Sequence, residues 1–270
     1  MKMNRLFYIL AAAMLPVWGN AQTTSDDGDD FGTILSVEAD KKINKKFSVG
    51  AEFEMRTRDD MHEVDRWSGG VSASYKLLSW LKASAGYVLL YDNNERYSYY
   101  DADDDYVVRG LVNEGDPKKY AEYWGLRHRF NVSLTGSYKL GNFGFSLRER
   151  WQYTYRPAHT VDQRLKLWDE DEDGPVYDGK QHTFSAKGKN ILRSRFQVEY
   201  KIKGFPATPF ANVELFNALR LEKVRYTAGA EWKINKHHLV TMYYRYQHSN
   251  DSSDDEPNRH AIGLTYNIKF

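Results

Sequence analysis

A run of strict alternation occupies residues 192–202, which read LRSRFQVEYKI. Apolar side chains fill alternate positions and polar side chains fill the positions between them: Leu192, Phe196, Val198, Tyr200 and Ile202 against Arg193, Arg195, Gln197, Glu199 and Lys201. Because successive side chains of a β-strand point to opposite faces, this stretch predicts a strand with one apolar and one charged face. Such a strand separates a nonpolar environment from a polar one.

The same two-residue period recurs along most of the chain. Alternating segments occupy residues 47–56, 66–77, 81–91, 127–140, 224–234 and 261–270. No segment carries a sustained helical period, so the sequence predicts an all-β fold.

The links between these segments alternate in length. Short, turn-like links lie at residues 43–46, 78–79, 141–142, 203–209 and 235–237. Longer polar links lie at residues 58–65, 92–120, 157–187, 218–222 and 249–258. Short turns at one end and long loops at the other are typical of a transmembrane β-barrel, whereas a soluble sandwich does not segregate its loops in this way.

Composition excludes several classes of protein. The formal charge of +1 gives no reason to expect a nucleic-acid partner. The absence of cysteine excludes a disulfide scaffold, thiolate metal sites and a cysteine nucleophile. A mean hydropathy of −0.71 excludes a bundle of membrane helices but not a membrane barrel, whose strands alternate.

Aromatic side chains concentrate at the two ends of the predicted strands. One group lies beside the long links: Trp67, Tyr91, Trp124, Trp151, Tyr153, Tyr155, Tyr244 and Tyr246. The other group lies beside the short turns: Tyr75, Trp80, Tyr138, Phe143, Tyr200, Trp232, Tyr266 and Phe270. Aromatic preference for strands alone does not explain this clustering, which predicts two aromatic girdles at the water boundaries of a bilayer.

The first residues are typical of an export signal. Lys2 and Arg5 precede a short apolar run at residues 6–17, and small residues at 19–21 predict cleavage before Gln22. An uncleaved N-terminal anchor is the alternative. We therefore expect a signal peptide at residues 1–21, an acidic segment at 22–31 and a barrel at 32–270, in the outer membrane of a Gram-negative bacterium.

Four segments, by their order along the chain, and the C-terminus carry a family resemblance. The segments are residues 45–50 (KKFSVG) with Glu52 and Glu54, residues 75–77 (YKL) followed by 86–87 (GY), residues 147–150 (LRER) and residues 262–266 (IGLTY). The pattern over residues 32–270 resembles an uncharacterised outer-membrane barrel family, domain of unknown function 2490. The resemblance implies location and architecture but no activity. The terminal strand with Phe270 also resembles the signal that the barrel-assembly machinery reads, so we expect that machinery as a partner.

The strand count predicts a single antiparallel barrel of about 10–12 strands, with short periplasmic turns and long acidic outer loops. We count about eleven strands from residue 32 onward, although bacterial single-chain barrels usually have an even number. The expected number is therefore ten or twelve. If the C-terminus lies in the periplasm, the first of eleven strands runs from the outer surface of the membrane toward the periplasm.

The polar faces predict a charged barrel interior. Three strands carry Arg pairs two residues apart, which places both guanidinium groups of each pair on one face. The predicted interior network comprises Glu52, Glu54, Arg127, Arg129, Arg148, Arg150, Arg193, Arg195, Glu199, Glu214 and Glu231. It is either a track for anionic solutes or a lumen filled by paired charges, and the near balance of acids and bases favours the filled lumen. Glu149 is an exception, a carboxylate on the predicted lipid face that a bulge, a rim position or a partner protein would explain.

Three acidic runs lie in the predicted outer loops, at residues 101–105, 169–174 and 251–256. The middle run matches the first half of a calcium loop through Asp169, Asp171 and Asp173, but Lys180 stands where such a loop needs a glutamate. A solvated loop, or one sharing divalent cations with lipopolysaccharide, is the favoured interpretation over a specific Ca²⁺ site.

Catalytic motifs are missing from the sequence. There is no G-x-S-x-G, H-E-x-x-H or P-loop pattern, and the eight histidines are scattered. His159 with Asp162, or His248 with Asp251, could form a rim active site, although solvated loop histidines are favoured.

The sequence therefore predicts a non-enzymatic outer-membrane barrel that binds no cofactor. It would have a structural or surface role or form a narrow channel for small, including anionic, solutes, in contact with membrane lipid and lipopolysaccharide. The alternatives are an outer-membrane hydrolase and a soluble exported ligand-binding barrel.

Overall fold

The computed structural model describes residues 29–103, 105–110, 113–115, 117–165, 176–250 and 258–270. The strands are β1 (Asp30–Lys42), β2 (Phe47–Arg58), β3 (Glu63–Lys76), β4 (Leu81–Tyr99), β5 (Pro117–Leu140), β6 (Phe143–Arg156), β7 (His159–Leu165), β8 (Val176–Phe184), β9 (Lys187–Tyr200), β10 (Ala207–Ala218), β11 (Arg220–Lys233), β12 (His238–Ser249) and β13 (Arg259–Lys269). A short helix, α1 (Asp105–Val108), lies between β4 and β5. Within the described ranges, no helix is long and apolar enough to cross a membrane. The predicted signal peptide, with residues 22–28, lies outside those ranges.

Eleven of the described strands close into a barrel. Going around it, β1 to β6 are followed by β9 to β13, and β13 returns to β1. The predicted all-β barrel of 10–12 strands is confirmed, but the expected even number is wrong. With eleven strands the first and last run in the same direction, so the barrel closes through a parallel ladder that pairs residues 30–40 with 259–269.

Side chains reinforce this parallel seam, whose ladder is slightly less stable per residue than an antiparallel one. The amide of Asn267 donates to Glu38 at 2.9 Å and to Asp40 at 2.8 Å. At the other end of the seam, Arg259 pairs with Asp30 at 2.8 Å. The seam is therefore bridged by polar contacts near both ends of the two strands.

Large apolar side chains cover the outside of the barrel. Phe53 on β2, Leu134 on β5 and Leu147 on β6 are each at least half exposed. Polar groups are buried instead, including Asp92, Ser133 and Glu214, each at 3% exposure or less. A soluble protein has the opposite arrangement, so the predicted apolar exterior and polar interior are confirmed.

Aromatic rings stack across strands at both ends of this apolar surface. Toward the long loops, the Tyr91 and Trp124 centroids are 4.9 Å apart. Toward the short turns, those of Phe143 and Tyr200 are 4.8 Å apart. These positions agree with the two predicted girdles.

The two ends of the barrel carry different connections, which we call the short-turn end and the long-loop end. Two to six residues connect the strands at the short-turn end, whereas residues 59–62, 100–116, 157–186, 219 and 250–258 connect them at the other, so three of its five links are long. The predicted long links at residues 58–65 and 218–222 are wrong, because four residues connect β2 to β3 and one connects β10 to β11. Only Leu219 separates β10 from β11, in a left-handed conformation (φ 70°) beside a register shift at Phe216/Asn217. Patterning cannot reveal such a one-residue turn.

The long-loop end also extends beyond the barrel wall. The β7–β8 hairpin pairs with β5 at Lys119 and Tyr120. Ala121 and Tyr123 of β5 and Val161 of the hairpin form a buried apolar cluster, against which Phe184 of β8 packs. Parts of the predicted loops at residues 92–120 and 157–187 are therefore ordered strands.

Candidate functional site

The residues of the predicted charge network lie on the inner face of the barrel strands. A cavity of about 460 Å³ extends from Glu199 near the short-turn end to Glu214 and Arg225 deeper inside. Strand register places the remaining predicted network residues on the same inner face: Glu52, Glu54, Arg127, Arg129, Arg148, Arg150, Arg193, Arg195 and Glu231. They do not form one network, because some are paired and others are not.

Glu214 is the hub of the largest paired group. Arg148 donates to Oε1 at 2.5 Å and Arg193 donates to Oε2 at 2.7 Å. Arg225 lies 3.5 Å from Oε2. Register aligns Arg148, Arg195, Glu214 and Arg225 across four neighbouring strands, so the carboxylate sits inside a row of guanidinium groups. We call Glu214 with Arg148, Arg193 and Arg225 the Glu214 cluster.

An aromatic ring closes this cluster toward the long-loop end. Phe216, two residues along β10, has the Arg193 guanidinium at 4.5 Å and the Arg225 guanidinium at 4.7 Å from its ring centroid. A cation over an aromatic face is attracted by the ring quadrupole. Gln152 fills the adjoining space and accepts from Arg193 at 2.9 Å. The middle of the lumen is therefore packed with side chains.

A second carboxylate hub lies nearer the long-loop end. Asp92 pairs with Arg66, and its other oxygen lies 2.9 Å from Arg127 Nε. Arg127 also donates to Asn94 at 2.7 Å. The sequence pattern predicts that Asp92 begins a loop, whereas β4 continues to Tyr99 and the Asp92 side chain points inward with the other even-numbered residues of the strand. The period-two rule extended past Tyr91 would have found it.

Four interior arginines have no ion-pair partner in the part of the chain that the structure describes: Arg129, Arg150, Arg195 and Arg245. Arg150 donates only to the Ser133 hydroxyl, at 3.0 Å. The Nε atoms of Arg195 and Arg245 are buried without a hydrogen-bond partner. Glu52, Glu199 and Glu231 are likewise without ion pairs among the described residues, and Glu54 pairs with Arg56 at 2.7 Å. The unpaired arginines and unpaired acids are therefore separate groups.

Glu149 occupies the lipid face at the middle of β6. Leu147 and Trp151, on the same face, are about half exposed. The ladders of β6 with β5 and β9 have no register shift, which excludes a bulge. Ser194 on β9, directly opposite, donates its hydroxyl to Glu149 Oε2 at 2.7 Å. One hydrogen bond therefore satisfies part of a carboxylate that faces lipid.

Several histidines on the outer face of the strands bond to tyrosine hydroxyls. Tyr87 bonds to His128 Nδ1 at 2.8 Å and Tyr266 to His238 Nδ1 at 2.7 Å. His260 bonds to Tyr244 and, through Nε2, to Asp29 Oδ2 at 2.8 Å. The His260 hydrogen bond holds the pKa of the Asp29 carboxyl below its ordinary value. Each Tyr–His pair is diagonal across two neighbouring strands, a relation that the cross-strand register reveals and the sequence does not.

The histidines of the two alternative rim pairs have other partners among the described residues. His159 stacks on Tyr123, with centroids 5.1 Å apart, and Asp162 accepts from Gln181 at 3.3 Å. His248 bonds to Asn258 at 2.7 Å, and Asp251 lies outside the described residues. The predicted calcium ligands Asp169, Asp171 and Asp173 lie outside them too. Among the described residues, no group of three or more His, Asp or Glu is placed to hold a metal ion.

The fold and its interior define a transmembrane β-barrel with a charged, mostly packed lumen. Within that class, the family described as "Protein of unknown function (DUF2490)" matches residues 31–258, and the chain belongs to this family. The resemblance inferred from the sequence is thereby confirmed.

Solved structures of other barrels resemble this chain at low identity. The β domain of the Bordetella autotransporter BrkA is 10% identical, with a TM-score of 0.49, covering 89% of this chain and 96% of that one. The translocator domain of the autotransporter NalP from Neisseria meningitidis is 10% identical, with a TM-score of 0.44 and coverage of 91% and 90%. The monoaromatic hydrocarbon channel CymD is 8% identical, with a TM-score of 0.40 and coverage of 84% and 85%. No curated protein matches the sequence.

Proposed function

We propose that this protein is a non-enzymatic outer-membrane barrel that forms a narrow, anion-selective path for small solutes. The observation that carries the proposal is the set of unpaired guanidinium groups of Arg129, Arg150, Arg195 and Arg245 around the lumen. Guanidinium groups bind carboxylate and phosphate through two parallel hydrogen bonds. Arginine-lined pores favour anions for the same reason.

The location follows from the same physical features. The apolar exterior needs a lipid environment, and the signal-like residues 1–21 favour export before insertion. We propose that the short-turn end faces the periplasm and that the C-terminal strand is read by the barrel-assembly machinery. Membrane lipid and lipopolysaccharide then contact the girdles and outer loops. Retention in membranes after alkaline or urea washing separates this proposal from a soluble barrel.

The test is conductance in a planar lipid bilayer, with the reversal potential measured across a KCl gradient. We expect channels of small conductance, with a reversal potential of the sign that chloride selectivity gives. The double variant R150Q/R195Q, which leaves the Glu214 cluster intact, should shift the reversal potential toward zero. The matched control K139Q, at the short-turn end of β5, should leave it almost unchanged. Absence of conductance would reject the channel, and cation selectivity in the unmodified protein would reject the anion-selective path.

A structural or surface role is the second candidate, and a specific observation favours it. Ser133, Gln152 and Glu214 are each less than 5% exposed, so side chains fill the middle of the lumen. Eleven strands lie between eight, whose interior is filled by side chains, and sixteen, which leave a channel. A barrel that inserts fully and never conducts would support this role over the channel.

Absence of enzymatic activity is part of the proposal and has its own test. The unmodified protein should hydrolyse neither phospholipid nor peptide. Hydrolysis that is lost in both H159A and H248A would support the outer-membrane hydrolase instead.

A further inference from the structure

We propose that the cavity on the short-turn side of the Glu214 cluster binds a short zwitterionic peptide of two or three residues. The inference rests on the proposed function, because it names the solute that the path would hold. The peptide lies along the barrel axis with its carboxylate inward and its ammonium group toward the short-turn end.

The charges left unpaired in this cavity are sorted by depth. Glu199 is one residue from the short-turn end of β9, and Glu231 is two residues from that end of β11. Arg195 lies deeper on β9 by four residues, and Arg245 lies seven residues from the start of β12. Both arginines and both acids line the cavity. An elongated solute therefore meets carboxylates at its outer end and guanidinium groups at its inner end.

The other charged groups lining the cavity are already occupied. Glu54 pairs with Arg56 at 2.7 Å, and Glu38 accepts from Asn267 at 2.9 Å. Glu214 and Arg225 belong to the Glu214 cluster. The buried Nε atoms of Arg195 and Arg245 still lack a hydrogen-bond partner. Arg195 and Arg245 also have no ion-pair partner among the described residues, so their guanidinium groups are available to a bound carboxylate.

The distance between the two charge groups sets the length of the ligand. Four residues separate Glu199 from Arg195, which is about 13 Å along the strand, or about 10 Å along the axis of a barrel with tilted strands. Arg245 lies four residues beyond Thr241, the partner of Glu231 in the ladder, and gives the same distance. An extended tripeptide spans about 10 Å between its charged ends. A single amino acid is too short to reach both groups.

The size and polarity of the cavity agree with this ligand. A volume of about 460 Å³ lies within the range of sites for small molecules. Thr208, Asn212 and Thr241 line it with hydroxyl and amide groups suited to a peptide backbone. Phe210 supplies aromatic surface for side chains, and the Tyr243 ring holds the Arg245 guanidinium at 4.9 Å from its centroid. Inorganic anions would use only the deep half of such a site.

The experiment measures binding of triglycine to the purified, refolded full-length barrel by titration calorimetry at low ionic strength. N-acetyl-triglycine, triglycine amide and glycine serve as the matched probes. We expect triglycine to bind at least about tenfold more tightly than each of them, because each lacks one charged contact or cannot span both. Equal affinity for triglycine and its blocked forms, or no binding of triglycine, would overturn the inference.

Two double variants test the orientation. E199Q/E231Q should bind triglycine and N-acetyl-triglycine equally, and R195Q/R245Q should bind triglycine and triglycine amide equally. The reverse pattern would overturn the orientation, and unchanged preferences in both variants would overturn the site. Bilayer conductance on the same preparation separates the two proposals. Chloride selectivity without triglycine binding rejects the peptide site alone, whereas a barrel that never conducts rejects the channel.

Discussion

Replacement of Glu214 by glutamine should destabilise the barrel more than replacement of any unpaired interior acid. The side chain is 4% exposed and faces Arg148 at 2.5 Å, Arg193 at 2.7 Å and Arg225 at 3.5 Å. The glutamine amide keeps one acceptor oxygen but removes the negative charge. Three buried guanidinium groups then face one another without compensation.

The expected cost follows from that geometry. Removing one member of a buried ion pair typically costs about 3–5 kcal/mol, because the remaining charge is left buried and uncompensated. Glu214→Gln should therefore lower the free energy of unfolding by about 3–5 kcal/mol. Glu231→Gln is the matched control, since Glu231 is exposed to the lumen and has no ion pair among the described residues. Its cost should stay within about 0.5 kcal/mol.

The assay is reversible urea unfolding of the barrel in lipid vesicles, followed by the fluorescence of its tryptophans. Equal midpoints for the two variants, at an unchanged slope, would refute the assignment of Glu214 as the hub. In bilayers, a folded Glu214→Gln protein should also be more anion-selective than the unmodified one, because the variant loses a fixed negative charge.

Three further perturbations test other parts of the account. Phe216→Ala removes a ring that packs between two guanidinium groups. The free energy of unfolding should fall by about 3–5 kcal/mol, and the single-channel conductance should rise. Unchanged conductance would show that Phe216 does not narrow the path. Leu134→Arg, six residues from the short-turn end of β5, should lower the free energy of unfolding in vesicles by about 2–4 kcal/mol. Tyr138→Arg, near the girdle, should lower it by at most about 1 kcal/mol. Equal costs for the two variants would contradict the assigned depth of Leu134 in the membrane. Ser194→Ala should lower the free energy of unfolding by about 1–3 kcal/mol in the unmodified protein and leave it unchanged in a Glu149→Leu background, because the hydroxyl bonds only to Glu149. A double-mutant cycle that shows no coupling between the two positions would contradict this.

The period-two pattern was sufficient to predict the barrel wall. In each barrel strand from Phe47 to Phe270 the apolar side chains of the alternation point outward, because lipid and water impose opposite requirements on the two faces. The number of strands was harder to predict. Whether it is odd or even depends on how β1 pairs with β13, and that parallel ladder joins residues more than 200 positions apart in the sequence.

The interior was predicted as a face rather than as a set of contacts. Parity placed Glu214 and the arginine pairs inside, but only cross-strand register shows that Arg148, Arg193 and Arg225 share one carboxylate. Asp92 was missed because β4 continues past its apolar alternation into polar sequence. The hydroxyl of Ser194 beside Glu149 was equally hidden, since register between β6 and β9 crosses the β7–β8 hairpin.

The apolar side chains of the barrel strands face lipid and the ionic side chains face the lumen, and site-specific labelling tests this arrangement directly. The chain has no cysteine, so single-cysteine variants can be labelled cleanly. Phe53→Cys and Glu52→Cys, neighbours on β2, would carry an environment-sensitive fluorophore in vesicles that contain brominated lipid. Strong quenching is expected at position 53 and little at position 52. Quenching at position 52 with a water-exposed probe at position 53 would contradict this arrangement.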